Sequence, residues 1–339
     1  MMDKRYEKQE KCSFIGTHGQ QNIGQKHVLI VGMGALGSAN AEMLVRAGVG
    51  TLSIVDRDYV EWSNLHRQQL YSEADCRDAI PKAVAAKRRL CDINSEVQIN
   101  AYVMDADPIN LLPILQNVDV IIDATDNFDI RFILNDLSQK YHIPFVFGSC
   151  VGSYGNTFTF LPGKTPCLHC LLEKIPLTGA TCDTVGVINP IVQMIASYQV
   201  TDCLKLLVGD LESIRPTLLS IDVWKNQHYS IRVDKAKRHD CLSCGLEATY
   251  PYLQYDAQTK TTVLCGRNTV QIRPPQKIAL NFDDLENHLN KLGMTRRNPY
   301  LLTFEYENYR LVFFQDGRVF IHGTDDIQKA KKIYYNLIG

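Results

Sequence analysis

Lys26 to Val31 reads KHVLIV and runs directly into Gly32-Met33-Gly34-Ala35-Leu36-Gly37. A short apolar run that ends in glycines reads as a buried strand. Ser38 to Ala47 (SANAEMLVRA) then reads as a helix with Gly48 as its stop, and Thr51 to Val55 (TLSIV) as a second strand ending at Asp56-Arg57-Asp58. Strand, helix and strand within about 30 residues form a βαβ unit, and two strands joined that way lie parallel. Glycines between strand and helix let the backbone approach a phosphate, whose charge the helix N-terminal amides stabilise. Gly32, Gly34 and Gly37 carry that spacing, and Asp56 is placed to accept hydrogen bonds from ribose hydroxyls. The motif alone says nucleotide, with NAD or FAD the commonest occupant. The alternative is that the glycines serve only helix–strand packing.

The alternation continues outward from this unit. Pro81 to Asp92 reads as a helix, Val97 to Val103 and Val118 to Ala124 as strands, the chain from Asn127 to about His142 as a helix, and Pro144 to Phe147 as the start of another strand. This pattern predicts a doubly wound, Rossmann-like α/β fold with a mostly parallel sheet. After Gly148, β-like segments at Thr157–Phe160, Leu218–Val223 and Tyr229–Val233 are expected to extend the sheet antiparallel. Asn189 to Val208 is a long apolar helix candidate for the core. A break after Cys244-Gly245 divides a first domain, 1–247, from a second, 248–339. In the second, one strand, a helix over Asp283–Leu292, three short β runs around Tyr300, Leu311 and Val319, and a last helix over Asp325–Leu337 predict a small α+β domain.

The 339 residues suit about two domains, with 45% hydrophobic and 22% charged residues, enough for a sizeable core. A net charge of −1 supplies no global attraction for nucleic acid or an acidic membrane, and no uninterrupted apolar run suggests a membrane span. Met1 to Lys11 is charged and lacks the apolar stretch of a signal peptide. Eleven cysteines, an odd number, then argue for reduced thiols in a cytoplasmic protein.

Asp58 to Gln69 (DYVEWSNLHRQQ) follows the second strand and puts Ser63, Asn64, Arg67 and Gln68 at the carboxyl edge of the sheet, where ligands bind. A hydride-transfer enzyme has no need of such a group, but a polyphosphate does, because Arg binds its oxygens with two parallel hydrogen bonds. The alternative is a solvated loop. Lys82 sits in the first turn of a helix, where a cation opposes the dipole unless a phosphate lies between. It also reads as an ordinary exposed lysine. Asp126, just past an apolar strand, suits Mg²⁺ held jointly with phosphates, or else caps the next helix, for which Asn127 is an equal candidate.

Two CxxC pairs, Cys167/Cys170 and Cys241/Cys244, fit a closed tetrahedral zinc site, which stabilises folding and performs no chemistry. His169 and His239 are possible substitutes. Of the other thiols, Cys12, Cys76, Cys91, Cys150 and Cys203 are expected to be mostly small buried residues. Cys182, in the polar loop Leu177–Gly186, is the candidate reactive thiol, with Cys265 second.

Together these residues resemble the ThiF/MoeB/HesA family, the bacterial relatives of ubiquitin-activating enzymes. The resemblance covers about residues 5–245. It rests on Arg5-Tyr6, GMGALG, the segment Ser63 to Gln68 (SNLHRQ), Pro81-Lys82, Ala124-Thr125-Asp126-Asn127, the Thr181-Cys182 loop and both CxxC pairs in order. It implies an ATP-dependent adenylyltransferase that uses Mg²⁺, carries structural Zn²⁺, and activates the C-terminal Gly-Gly of a ubiquitin-like sulfur-carrier protein for thiamine or molybdopterin synthesis. It implies ATP binding through Gly34, Asp58 and Ser63 to Arg67, completed by Lys82 and Asp126, and so favours Asp58 over Asp56 for the ribose. It implies a homodimer in which a basic residue near the N-terminus reaches the other subunit's ATP. Lys8 stands where the family usually has Arg. It also implies that Cys182 is a site of covalent adduct formation in some members, with a sulfurtransferase as a further partner. Adenylation of a ribosomal peptide is the alternative within the family, and an NAD-binding oxidoreductase a distant one. Residues beyond 247 lie outside the resemblance.

Overall fold

A computed structural model describes residues 4–174, 185–254, 261–264, 268–273 and 280–338. The chain divides into two compact units, residues 1–182 with 186–257, and residues 183–185 with 258–339.

The first unit is built on eight strands: β1 (His27–Val31), β2 (Thr51–Asp56), β3 (Gln98–Val103), β4 (Val120–Asp123), β5 (Phe145–Val151), β6 (Tyr154–Phe160), β7 (Thr217–Asp222) and β8 (Gln227–Arg232). They lie in the order β3-β2-β1-β4-β5-β6-β7-β8. The strands from β3 across to β5 are parallel and those from β5 to β8 antiparallel, as the sequence pattern predicts. β1 is buried because its side chains alternate between two apolar layers. Val28 and Ile30 enter one layer, with the helices Ala35–Ala47, Lys82–Ile93 and Asn189–Val208. Leu29 and Val31 enter the other, with the helix Phe128–Tyr141. The helix Asn189–Val208 is long and apolar enough to cross a membrane by length and composition, yet half of that stretch is buried within the protein. It packs on β5, β6 and the helix Ala35–Ala47 as a core element.

The strand order reverses direction between β1 and β4, the position at which open α/β sheets place a ligand crevice beyond the carboxyl ends of the strands. Gly32 adopts φ +91°, and a Cβ on it would come within 2.6 Å of the Ala124 carbonyl, so these two loops meet backbone to backbone. Gly48 ends the helix Ala35–Ala47 in the left-handed conformation, and a Cβ there would overlap the Tyr6 ring.

The second unit is a six-stranded antiparallel sheet in the order β11-β12-β13-β14-β10-β9. Its strands are β9 (Thr261–Leu264), β10 (Thr269–Ile272), β11 (Thr295–Arg297), β12 (Leu301–Tyr306), β13 (Tyr309–Phe314) and β14 (Val319–His322). Helices Phe282–Leu289 and Ile327–Ile338 contribute to its core beside Phe304, Phe313 and Ile321. β9 and β11 are the two strands without a counterpart in the sequence reading. Both are edges of three or four residues, too short to display an alternation. Residues 248–254, assigned from sequence to the second domain, pack on the first unit. Tyr252 stacks on Phe132 with ring centroids 4.5 Å apart, and its amide donates to Asp136 at 3.0 Å.

Candidate active site

The carboxyl ends of β1, β2 and β4 bring together the glycine loop, Asp56 to Asp58 and the Asp126 loop. Asp56 holds the glycine loop. One of its oxygens accepts from the Met33 amide and the other from the Asp58 amide, each at 2.6 Å. Burial pushes its pKa up, against the pull of the Lys82 ammonium. Each oxygen thus accepts from the chain's own backbone, which gives Asp56 a structural role in the loop. Asp58 is the carboxylate beyond the strand end, and Lys82 Nζ lies 3.3 Å from it. The Lys82 side chain is 3% exposed, so the ordinary-surface-lysine alternative does not hold. Its backbone amide donates to the Asp58 carbonyl at 2.9 Å, which ties the start of the helix Lys82–Ile93 to the loop after β2.

Gly34 and Gly37 do different work. A Cβ at Gly37 would collide with the Gly32 carbonyl, so this glycine permits the tight entry into the helix. A Cβ at Gly34 would meet only the Gln68 side-chain amide, at 3.8 Å. Gln68 is 3% exposed, and its Oε1 has no hydrogen-bond partner among the described residues. The open backbone at Gly34 leaves room for a phosphate, and the unsatisfied Gln68 Oε1 calls for a hydrogen-bond donor, such as a hydroxyl or amino group of a nucleotide.

The segment Ser63–Gln68 is a folded turn, not a loose solvated loop. Asn64 is buried and accepts from the Glu61 amide at 3.1 Å, closing a capping box around the short helix Trp62–Asn64. Arg67 donates to the Ser63 carbonyl at 2.7 Å. After β4, Asn127 is the helix cap, accepting from the amides of Asp129 and Ile130. Asp126 is exposed and plays no part in that cap.

Sequence reasoning missed three supporting residues. Arg131 donates to Asp123 at 3.0 Å and to the Thr125 and Gly148 carbonyls, bracing the loop that carries Asp126. Tyr71 donates to the Met33 carbonyl at 2.6 Å. Arg57 pairs with Asp105 at 3.4 Å. Burial would weaken its hold on its proton, but Asp105, Asp58, Asp126 and Asp56 together raise it. The only sequence signal for any of these was the charge alternation Asp56-Arg57-Asp58.

Sγ atoms of Cys167, Cys170, Cys241 and Cys244 all lie within 4.8 Å of one another, and the pairs Cys167–Cys241 and Cys170–Cys244 stand at 3.6 Å. Four Zn–S bonds of about 2.3 Å make a tetrahedron with edges of about 3.8 Å, so these thiols fit zinc. His169 instead meets Phe132 and Tyr252 edge-on. Among the other thiols, Cys76, Cys150 and Cys203 are buried as expected, whereas Cys12 and Cys91 are exposed. Cys182 and Cys265 lie outside the described residues.

Lys8 is exposed on the short helix Glu7–Glu10. Its neighbours hold the segment to the first unit. Gln9 donates to the Ala47 carbonyl at 2.9 Å, the Tyr6 hydroxyl accepts from Asn94 at 2.8 Å, and Arg5 donates to the Ile93 carbonyl at 3.3 Å. The segment therefore grips the C-terminal ends of the two helices whose N-terminal ends meet at the crevice.

Residues 6–243 match the model of the ThiF family. The chain belongs to the ThiF family. It is 50% identical to a sulfur carrier protein ThiS adenylyltransferase of Bacillus subtilis (strain 168), over 339 residues and the full length of both chains. A sulfur carrier protein adenylyltransferase of Thermus thermophilus is 35% identical over 72% of this chain and 92% of its own. The adenylyltransferase and sulfurtransferase MOCS3 of Drosophila ananassae is 30% identical over 88% of this chain and 64% of its own. Crystal structures of Escherichia coli MccB share the fold. The complex with MccA-N7isoASN gives a TM-score of 0.63 at 21% identity, covering 72% of this chain and 75% of that one.

Proposed function

We propose that this protein adenylates the C-terminal glycine carboxylate of a ubiquitin-like sulfur-carrier protein of the ThiS kind, for sulfur transfer in thiamine synthesis. The observation that carries this reading is the 50% identity to a ThiS adenylyltransferase along the whole of both chains, second unit included. The carrier's carboxylate oxygen attacks the α-phosphorus of ATP, the bond to the β-phosphate oxygen breaks, pyrophosphate leaves, and an acyl-adenylate remains. The attacking group is already ionised at neutral pH, so no general base is required. Negative charge moves toward the leaving pyrophosphate, where fixed cations in a shielded crevice stabilise it.

In this reading Gly32 and Gly37 shape the loop and Gly34 lets the phosphates approach. Asp56 holds the loop amides and Asp58 takes the ribose. Ser63, Asn64, Arg67, Gln68 and Lys82 bind the phosphates, and Asn127 sets the helix that presents Asp126. Asp126, exposed and released from capping, suits Mg²⁺, which would neutralise phosphate charge. The four cysteines suit structural Zn²⁺.

A homodimer completes the reading. Lys8 sits at the C-terminal end of the helix Ala35–Ala47, whose 13 residues span about 20 Å. Its neighbour Gln9 holds that end, away from the glycine loop at the helix start, so in this reading Lys8 serves a second copy's ATP. Cys182 remains the candidate for a covalent adduct with the activated carrier, and a sulfurtransferase a candidate donor of the sulfur.

The test is ATP–pyrophosphate exchange with Mg²⁺ and the host's ThiS-like and MoaD-like carriers, each intact and without its last glycine. Exchange that needs the intact ThiS-like carrier is the expected result. Exchange with only the MoaD-like carrier would reassign the pathway, and none with either would reject the carrier reading.

A further inference from the structure

We infer that Gln199 is a positioning residue for this reaction, setting the glycine-loop helix against the loop that carries Asp126. The inference rests on the adenylation reading. Gln199 is fully buried in the middle of the helix Asn189–Val208. Its Oε1 accepts from Asn40 Nδ2 at 2.9 Å, and Asn40 lies on the helix that begins at the glycine loop. Its Nε2 donates to the Asp123 carbonyl at 2.8 Å and to the Val146 carbonyl at 3.3 Å. Asp123 is the last residue of β4, and its carboxylate accepts from the amide and hydroxyl of Thr125, at 2.9 and 2.7 Å, immediately before Asp126. One amide therefore joins the helix that follows the glycine loop to the end of the strand that leads into the Asp126 loop.

The β1–β4 ladder ends at Val31 and Asp123, and past it the backbone adds the Ala124 amide to Val31 carbonyl bond and the close approach of Gly32 to Ala124. Gln199 adds a side-chain tie from β4 to the helix itself. An amide side chain has direction, so its hydrogen bonds fix rotation and separation, where apolar contacts would allow sliding. The surroundings are cut to admit it. A Cβ on Gly148 would lie 2.5 Å from the Gln199 amide. The pair is also not what stability alone would select, since the buried Asn40 Oδ1 has no hydrogen-bond partner among the described residues.

Adenylation needs the phosphate cradle after β1 and the carboxylate after β4 in register in the transition state, and small displacements there slow chemistry more than they weaken binding. Gln199→Met keeps the volume and removes all three hydrogen bonds. Gln199→Glu keeps the acceptor for Asn40 but sets an oxygen against the Asp123 carbonyl. In pyrophosphate exchange with the intact carrier, both variants are expected to lower kcat by roughly 10- to 100-fold while KM for ATP moves by less than about 3-fold. Asn40→Ala is expected to lower kcat less, and combined with Gln199→Met to add nothing further, because both changes break one brace. A lowered thermal midpoint with unchanged kcat per folded molecule would overturn the inference. If Gln199→Met does not fold, Asn40→Ala decides in the same way. Wild-type protein is the control. Its failure to exchange would overturn the adenylation reading and this inference with it, whereas active wild type with equally active variants overturns the inference alone.

Discussion

Lys82 Nζ stands 3.3 Å from Asp58 Oδ2, with 3% of the lysine side chain and 13% of the aspartate exposed. Two residues 24 apart in sequence are thus one shielded ion pair at the mouth of the crevice. A buried pair contributes little net stability while intact, but removal of one partner leaves the other charge stranded. Lys82→Met is expected to cost about 3 kcal/mol in urea unfolding and to reduce exchange at least ~100-fold. Retention of exchange within about threefold would remove Lys82 from the site.

Asp126 and Asn127 should separate cleanly. Asn127→Ala removes a helix cap and is expected to cost about 1 kcal/mol with exchange largely kept. Asp126→Asn touches no cap and is expected to leave stability within ~0.5 kcal/mol. It should depress exchange and raise the Mg²⁺ concentration needed for half-maximal rate. Equal effects of the two variants on rate would contradict the assignment.

Asp123 gives a pH signature. Burial raises its pKa, against the Arg131 guanidinium and the Thr125 hydrogen bonds. Between the unfolded value near 3.9 and the raised folded value, the native protein holds more protons than the unfolded chain. Its contribution to stability therefore falls as pH rises through that window and is flat above it. Asp123→Asn lacks this slope, so the stability gap between wild type and variant should be wider at acid pH than at pH 7. A gap that widens toward neutral pH would show that the Arg131 pair outweighs burial.

The four-cysteine cluster predicts one tightly held zinc per chain. Cys241→Ser should abolish it in metal analysis and lower the thermal midpoint by at least ~5 °C, because binding energy to the native state is folding energy. The same treatment of the exposed Cys12 should do neither.

Lys8→Ala and Lys82→Ala proteins should each be nearly inactive alone, if Lys8 serves a second copy. Mixed and allowed to exchange subunits, they should recover about a quarter of wild-type exchange, since half the dimers are mixed and each restores one of two sites. Recovery absent while mixed dimers form would place Lys8 in its own chain's site, and a fully active Lys8→Ala protein would place it outside the reaction.

Much of this protein was legible in its sequence because the signals were local. KHVLIV followed by three spaced glycines dictates strand, tight turn and helix through sterics alone, and the observed helix Asn189–Val208 has the bounds expected of it. The CxxC spacing needs only that two loops meet, which four sulfurs within 4.8 Å, three of them buried, bear out. The sequence also determined the order of α/β elements, because period 2 and period 3.6 patterns are written residue by residue. Tertiary structure alone decided which carboxylate does what. Asp56, Asp58, Asp105, Asp123 and Asp126 look alike in sequence. Asp56 is turned to the Met33 amide, Asp123 to Arg131, and Asp126 to solvent, by the way three strands end side by side. It alone decided that Lys82 is buried, and that Gln199, 159 residues from Asn40, bonds to it. The physical reason is that a hydrogen bond between distant residues leaves no periodicity in the chain, so it becomes visible only once the strands are placed in register.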